Sequence, residues 1–473
     1  MSLILPFPAR WRAWSGIVLG GLLAGCTSTS RDVTAYREQR EAIAQSETST
    51  TRNMSPPAAQ VHHDTDVRLA ALLGAPRLNR GLLIAAVLER NPGIAAAREG
   101  WRAAVARYPQ QVGWEDPMVS YRSYPLSLGR SGVAYGQELE ISQRIPIGGK
   151  LNLQGAIALA EADAAHSDFQ AVRIRLAMMT SQVYDDYVLA VRSLAITARQ
   201  LVLINDLMLS AQAHVANGTT SIQDPLQAEA EAADLLQEQI TQAADRDVAV
   251  AQLNGLLHRL PIDAPLPLPG EEDPVTSPGD ESTALQDAAV RERPDLLAID
   301  AKVHQAEPAL TLAQRQYQPD LSVTGSYSSL WDQRDYRYGI GVSVALPVHT
   351  DRLQGGIDEA QARIAQARLE REHMERDIRV EVAEAHRRLI AAQALSRVIH
   401  DRLLPATHDR AEAARAAYVA GRGSFTDVIA AARAAQTAEL RQQQAIADIS
   451  RRRATLLQTM GRIPTSTPMG PTP

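Results

Sequence analysis

The chain has one cysteine in 473 residues, three phenylalanines and only 4% aromatic residues. A single cysteine, Cys26, excludes an internal disulfide. Its length would allow two or three ordinary domains, yet nothing in it reads as separate globular units. Long apolar runs are missing as well. The leading one, from Ala13 to Ala24, is too short to be a spanning helix. Positive charge is in the minority: the formal net charge is -6, and loss of Arg10 and Arg12 with a leader would make the remainder more acidic. That balance argues against a nucleic-acid partner. What the chain has in quantity is Ala, Leu, Gln, Glu and Arg, the composition of long helices packed through small residues.

Arg10 and Arg12, the short apolar run and Leu23-Ala24-Gly25-Cys26 together read as a secretory signal, residues 1–25, closing on a lipid-acceptor cysteine. The bland alternative is a free cysteine inside an uncleaved signal. Residues 26–76, rich in Ser, Thr and Pro, read as lipid anchor and extended linker. His62-His63-Asp64 falls in that stretch and reads as solvated linker rather than a metal site.

The most informative pattern is internal repetition. Pairing Pro92 with Pro294, Pro117 with Pro319, Pro146 with Pro347, Gly218 with Gly421 and Pro261 with Pro464 gives separations of 202, 202, 201, 203 and 203 residues. One register held along the whole chain means a tandem duplication: repeats over 77–261 and 283–464, a Pro-rich linker over 262–282 and a tail over 465–473.

Each repeat reads as helix, two strands, very long helix, tight loop, helix. The first helices are expected over Gly81 to Val112, with Pro92 a break or a first-turn residue, and over Thr283 to Tyr317. The segment from Lys150 to Ala216 contains no proline and makes a helix roughly 100 Å long. Gln354 to Ala420 is its counterpart, with a kink expected at Pro405. Return helices over Pro225 to His258 and Asp427 to Met460 supply antiparallel partners, which helices of this length require. Asp224 reads as the N-cap of the first of these, with Pro225 at its first helical position. Gly218 and Gly421 suit left-handed helix ends.

Val133 to Ile147 and Tyr336 to Val348 alternate between one apolar and one polar face, and Met118 to Leu126 and Leu321 to Leu330 do so more weakly. About half of the 12 tyrosines lie in these four stretches, as an aromatic girdle at a membrane boundary demands. A sandwich packed on helices would give the same alternation. Against it, the helices are too long and polar to cover a sheet, and four strands cannot close a barrel, for which about eight is the minimum. Three chains of four strands would close one. The fold expected is mainly α with a membrane β-barrel, trimeric and 12-stranded, continued by a long helical tunnel.

The lipid-acceptor motif, the duplicated plan, Asn91-Pro92, the Arg144-Ile145-Pro146-Ile147-Gly148-Gly149-Lys150 junction and the two loops with Gly six residues before Asp resemble the TolC-type outer-membrane efflux proteins. The junction's wording is most similar to the heavy-metal, cation-efflux branch. The resemblance implies an exit duct of a tripartite efflux system, a passive conduit for small solutes and for heavy-metal cations in that branch, without enzymatic activity or cofactor. It implies a homotrimer, a periplasmic adaptor, an inner-membrane RND-type pump and outer-membrane lipid as partners. The alternatives are the outer duct of a protein-secretion system and a structural lipoprotein bridging envelope layers, for which amphipathic strands have no use. Gly218, Thr219, Gly421, Arg422, Ser424 and Phe425 would form the periplasmic tips that meet the adaptor. Asp224 and Tyr418 match the family's closing latch and Asp427 its gate carboxylate, while Ala430 stands where the family has a second one. Thr27 after the cysteine, rather than Asp, implies the outer membrane.

Lipidation is directly checkable. Mass spectrometry of the N-terminal peptide should find the mature protein beginning at an acylated Cys26. Retained upstream residues or an unmodified thiol would sink the assignment.

Overall fold

Asn91 and Pro92 show how local chemistry divides the first helical segment. The Asn91 side chain accepts the Gly93 N–H at 2.9 Å, and Pro92, whose missing N–H costs nothing there, opens the next helix. The computed structural model describes residues 30–48, 69–125, 136–217, 220–260, 266–270, 282–331 and 333–464. Cys26 and His62-His63-Asp64 lie outside the described residues. In chain order the elements are α1 (Ser30–Thr48), α2 (Arg80–Arg90), α3 (Pro92–Val105), α4 (Arg107–Val112), β1 (Met118–Tyr124), β2 (Gly136–Ile145), α5 (Lys150–Ala216) and α6 (Gln223–Leu256). They continue as α7 (Ser282–Glu292), α8 (Pro294–Arg315), β3 (Leu321–Ser328), β4 (Tyr338–Val344), α9 (Thr350–Val398), α10 (Leu404–Val419) and α11 (Phe425–Thr459). The second half therefore repeats the helix-strand-strand-helix-helix order of the first.

Several sequence expectations need correction. Ser30–Thr48, read as extended linker, is a helix. The helix expected over Thr283 to Tyr317 is broken at Arg293 because Pro294 starts a new one. Tyr336 ends a 3-10 turn, Arg334–Tyr336, and does not belong to β4. At Pro405 the ladder is interrupted by a π-turn, Ile399–Leu403, just before the proline, which accommodates the missing donor.

The described residues fall into two compact units, the first from 1–47, 100–165 and 299–370, the second from 48–99, 166–298 and 371–473. In the first, the strands form one antiparallel sheet in the order β1-β2-β3-β4. Its register opposes Tyr121 to Leu139, Leu139 to Tyr327 and Tyr327 to Tyr338. It likewise opposes Val119 to Ile141 and Val323 to Val342, so apolar side chains share one face. No described residue covers that face: Tyr338 is 74% and Ile340 90% exposed. The other face carries Arg122, Glu138, Glu140, Ser322, Thr324 and Ser343.

Below the sheet, α1 is held by chemistry that spans many residues. Tyr36 stacks on Tyr108 with ring centroids 4.9 Å apart. The Trp101 indole donates to Gln39 at 3.2 Å, and Gln39 in turn donates to Asp163.

The junction between sheet and long helix rests on Asp320. It accepts from buried Lys150 at 2.8 Å and from Arg144 at 2.7 Å. Lys150 also donates to the Gln318 carbonyl at 2.8 Å. Gly148 makes the turn at φ +77, a conformation that favours glycine, and its missing Cβ leaves room for the Gln318 side-chain oxygen, which a Cβ would meet at 1.8 Å.

In the second unit, two equivalent cores hold the repeats. Leu83 and Val87 of α2 pack with Tyr184 and Tyr187 of α5 and Leu253 of α6. Leu285 and Ala289 of α7 pack with Ile378 and Val382 of α9 and Leu456 of α11. Leu83 and Leu285 are separated by 202 residues and Leu253 and Leu456 by 203, so the duplication extends to the packing. A buried ion pair pins α2: Arg80 donates to Asp185 at 2.5 Å and to the Ser181 hydroxyl at 2.7 Å. Within the stretch expected as linker, residues 266–270 are tied to Leu78, whose N–H reaches Leu268 O at 2.8 Å.

The Asp320 junction sets a measurable contrast. Lys150 is 7% and Arg144 52% exposed at the side chain. Lys150→Met should therefore cost about 3 kcal/mol, as loss of one partner of a buried pair does. Arg144→Gln should cost under about 1 kcal/mol, as for an exposed pair. Denaturant unfolding of the purified protein compares the two, and equal losses would contradict the assignment.

Candidate functional site: the two helix tips

Two reversals of direction carry the residues singled out in the sequence, one between α5 and α6 and one between α10 and α11. At the second, Gly421 takes φ +70. Arg422 N–H reaches back to Ala417 O at 2.9 Å and Gly421 N–H to Tyr418 O at 2.9 Å, which ends α10 in a Schellman turn. Ser424 then caps α11: its hydroxyl accepts the Asp427 N–H at 3.1 Å and donates to the Asp427 carboxylate at 2.7 Å. Asp427 is exposed but engaged in this cap, and Arg422 and Ala430 are exposed beside it. Gly218 and Thr219 lie outside the described residues.

The first tip departs from the sequence reading. α6 begins at Gln223, so Asp224 sits in its first turn instead of capping it. Its N-cap position is Ile222, which has no side-chain cap, and the Ser221 hydroxyl just before it accepts the Gln223 N–H at 3.2 Å. Ser221-Ile222-Gln223-Asp224 and Ser424-Phe425-Thr426-Asp427 are the same Ser-x-x-Asp pattern 203 residues apart, a signal the sequence reading passed over.

The tips share an apolar core. Ile204, Leu207 and Ala211 of α5, Ala228 and Leu235 of α6, Tyr418 of α10, and Phe425, Val428 and Ile429 of α11 form one buried cluster. Phe425 is 2% exposed and meets the Tyr418 ring edge-on at 5.4 Å, so it holds the tip together from inside. His214 meets the other side of Tyr418 at 5.9 Å. The Tyr418 hydroxyl is buried without a hydrogen-bond partner among the described residues. Burial, and after it the nearby Asp224 charge, push the phenol above its ordinary pKa. The structure thus brings Asp224 and Tyr418 near one another but does not join them by a hydrogen bond.

A polar clamp, marked by no sequence pattern, lies beyond this core. Arg433 of α11 grips Glu231 of α6 through both carboxylate oxygens, one at 3.0 Å, and reaches Asp234 at 3.4 Å. Glu231 is 6% exposed at the side chain and Arg433 56%. That hydrogen bond is also the main reason the guanidinium pKa is raised. Thr426 adds a bond to Gln227 at 3.1 Å and Gln436 one to Glu238 at 3.1 Å, so α6 and α11 are tied along several turns. Arg433→Ala should cost about 3 kcal/mol because it leaves Glu231 buried and unpaired. Replacing both residues by Leu should recover much of that loss in the same unfolding measurement. A harmless single substitution would mean that the clamp contributes nothing.

A sequence profile of the outer membrane efflux protein family matches residues 83–258 and again residues 285–462, so the family signature occurs twice in the chain. No curated protein sequence matches it. Solved structures share the fold at low identity. One is CusC, 18% identical, with a TM-score of 0.70 over 81% of this chain and 92% of that one. The open-state MtrE outer membrane channel of Neisseria gonorrhoeae is 19% identical, with a TM-score of 0.67 over 82% and 90%. The outer membrane protein VceC of Vibrio cholerae is 18% identical, with a TM-score of 0.66 over 80% and 95%. Four antiparallel strands joined to long paired helices, duplicated within one chain, are the protomer plan of these channels. The chain belongs to the outer membrane efflux protein family, the channels of tripartite efflux systems.

Proposed function

We propose that three copies of this chain close a barrel of twelve strands in the outer membrane and that their helices continue it as a passive exit duct for small solutes. The observation that carries this reading is the sheet: four strands with one uncovered apolar face and two unpaired edges. Such a sheet is stable only with lipid on that face and further strands at its edges. Cys26 anchors each copy in the outer membrane by its acyl chains. The chain holds no nucleotide-binding loop, so an inner-membrane RND-type pump supplies the energy through a periplasmic adaptor that meets the tips.

The tips form the gate in this reading. Closure joins the Tyr418 hydroxyl, which has no partner among the described residues, to Asp224 close by. Three Asp427 carboxylates line the mouth, and Gly218, Thr219, Arg422 and Ser424 face the adaptor. The cargo is small solutes, with heavy-metal cations the narrower class. The junction motif on which that narrower class rests has a structural task of its own, since Arg144 and Lys150 bind Asp320. Metal specificity therefore belongs to the pump.

Native mass measurement of the detergent-extracted protein should give a trimer. In planar bilayers Asp224→Ala with Tyr418→Phe should raise single-channel conductance, and Asp427→Asn should weaken block by multivalent cations. A conducting monomer or dimer overturns the barrel. A double variant conducting like wild type reduces Asp224 and Tyr418 to packing residues. Loss of protein export, with drug and metal tolerance intact, in a strain lacking the chain would favour a secretion duct instead.

A further inference from the structure

The second unit contains a groove of about 450 Å3 between α5, α10 and α11, bounded by the 266–270 segment. Part of its lining is apolar, with Ile196 and Leu268, and it also carries three guanidinium groups, Arg77, Arg192 and Arg199. Arg199 pairs with Glu439 at 3.1 Å, a carboxylate that His408 also approaches at 3.1 Å. Arg192 donates only to the amide oxygen of Gln443, at 3.2 Å. Arg77 makes no hydrogen bond or ion pair among the described residues. Other helix surfaces of this chain match arginine with carboxylate one turn away, as in Arg363 with Glu359 and Arg388 with Glu384. Among the described residues, the groove therefore holds two guanidinium groups, Arg77 and Arg192, with no carboxylate partner.

A third feature narrows the ligand. The side-chain oxygen of Gln442, which lines the same groove, is buried with no N–H donor among the described residues. Guanidinium groups suit carboxylates and phosphates alike. An orphan acceptor and apolar walls suit a chain that brings N–H groups and hydrocarbon along with its charges, which a peptide does and a phosphate does not.

We propose that this groove binds an extended acidic peptide segment, with carboxylates on Arg77 and Arg192, a backbone N–H on Gln442 and aliphatic carbons over Ile196 and Leu268. The site does not depend on conduction, so its failure would leave the exit-duct reading untouched. Fluorescein-labelled hexaglutamate titrated into the full-length, detergent-purified protein at low ionic strength tests it by anisotropy. Binding should saturate, weaken as salt is raised, and fall about tenfold or more in the Arg77→Gln, Arg192→Gln double variant. Arg77→Gln alone breaks no hydrogen bond or ion pair among the described residues and should still weaken binding about threefold, which separates the result from misfolding. Native mass should show both variants assembling as wild type does. Equal binding by wild type and double variant would overturn the proposal. Tripolyphosphate displacing the peptide at equal affinity would overturn its peptide class, because the groove would then read charge alone. Binding that appears only after Glu271→Gln, Glu272→Gln and Asp273→Asn would overturn an external ligand, the chain's own acidic run being the occupant.

Discussion

Among the described residues, four antiparallel strands leave the outer hydrogen-bonding edges of β1 and β4 unpaired, while Val119, Tyr121, Leu139, Ile141, Ile340 and Val342 present one uncovered apolar face. Neither feature is tolerable in water, where an open edge recruits further strands and an uncovered apolar surface seeks a partner. Most of the remaining architecture answers that constraint. The duplication supplies one hairpin per repeat, and pairing β2 with β3 joins the two hairpins into one sheet. Short strands of seven to ten residues on long helices then divide the chain between a part suited to lipid and a part suited to water.

A sheet and a helix with such different surroundings need a rigid joint, and Asp320 provides it. One carboxylate takes a buried ammonium from the start of α5 and a guanidinium from the end of β2, while Gly148 lets the chain turn against Gln318 without a clash. The joint occurs once. Its counterpart positions in the second repeat hold Ala345 and Asp351, which cannot make the same pairs. Duplication thus gave the repeats equivalent cores but left their strand-to-helix turns chemically distinct. The tips differ in a similar way. Both carry a Ser-x-x-Asp pattern, but only Ser424 caps its helix, and Tyr418 and Phe425, which fill the shared tip core, both come from the second repeat.

The sequence determined what depends on near neighbours. Alternation over Met118 to Leu126 and Leu321 to Leu330 located β1 and β3, because period two is a local property of a half-covered strand. The absence of proline and glycine-rich turns from Lys150 to Ala216 delimited α5, and the constant spacing of prolines and glycines revealed the duplication. Tertiary structure decided the rest, because the responsible groups lie far apart in the chain. Ser30–Thr48 reads as a polar linker, yet it is a helix held by Tyr108, Trp101 and Asp163. Glu231 and Arg433 stand 202 residues apart and carry no pattern, since any acidic and basic residue on polar helices looks alike until two faces meet. Tyr418 was legible as a tip residue, but whether its hydroxyl finds a partner depends on packing that buries it among α5, α10 and α11. Periodicity fixes which face of an element is apolar, whereas the partner of a buried charge or hydroxyl is fixed only when distant segments are brought within about 3 Å of each other.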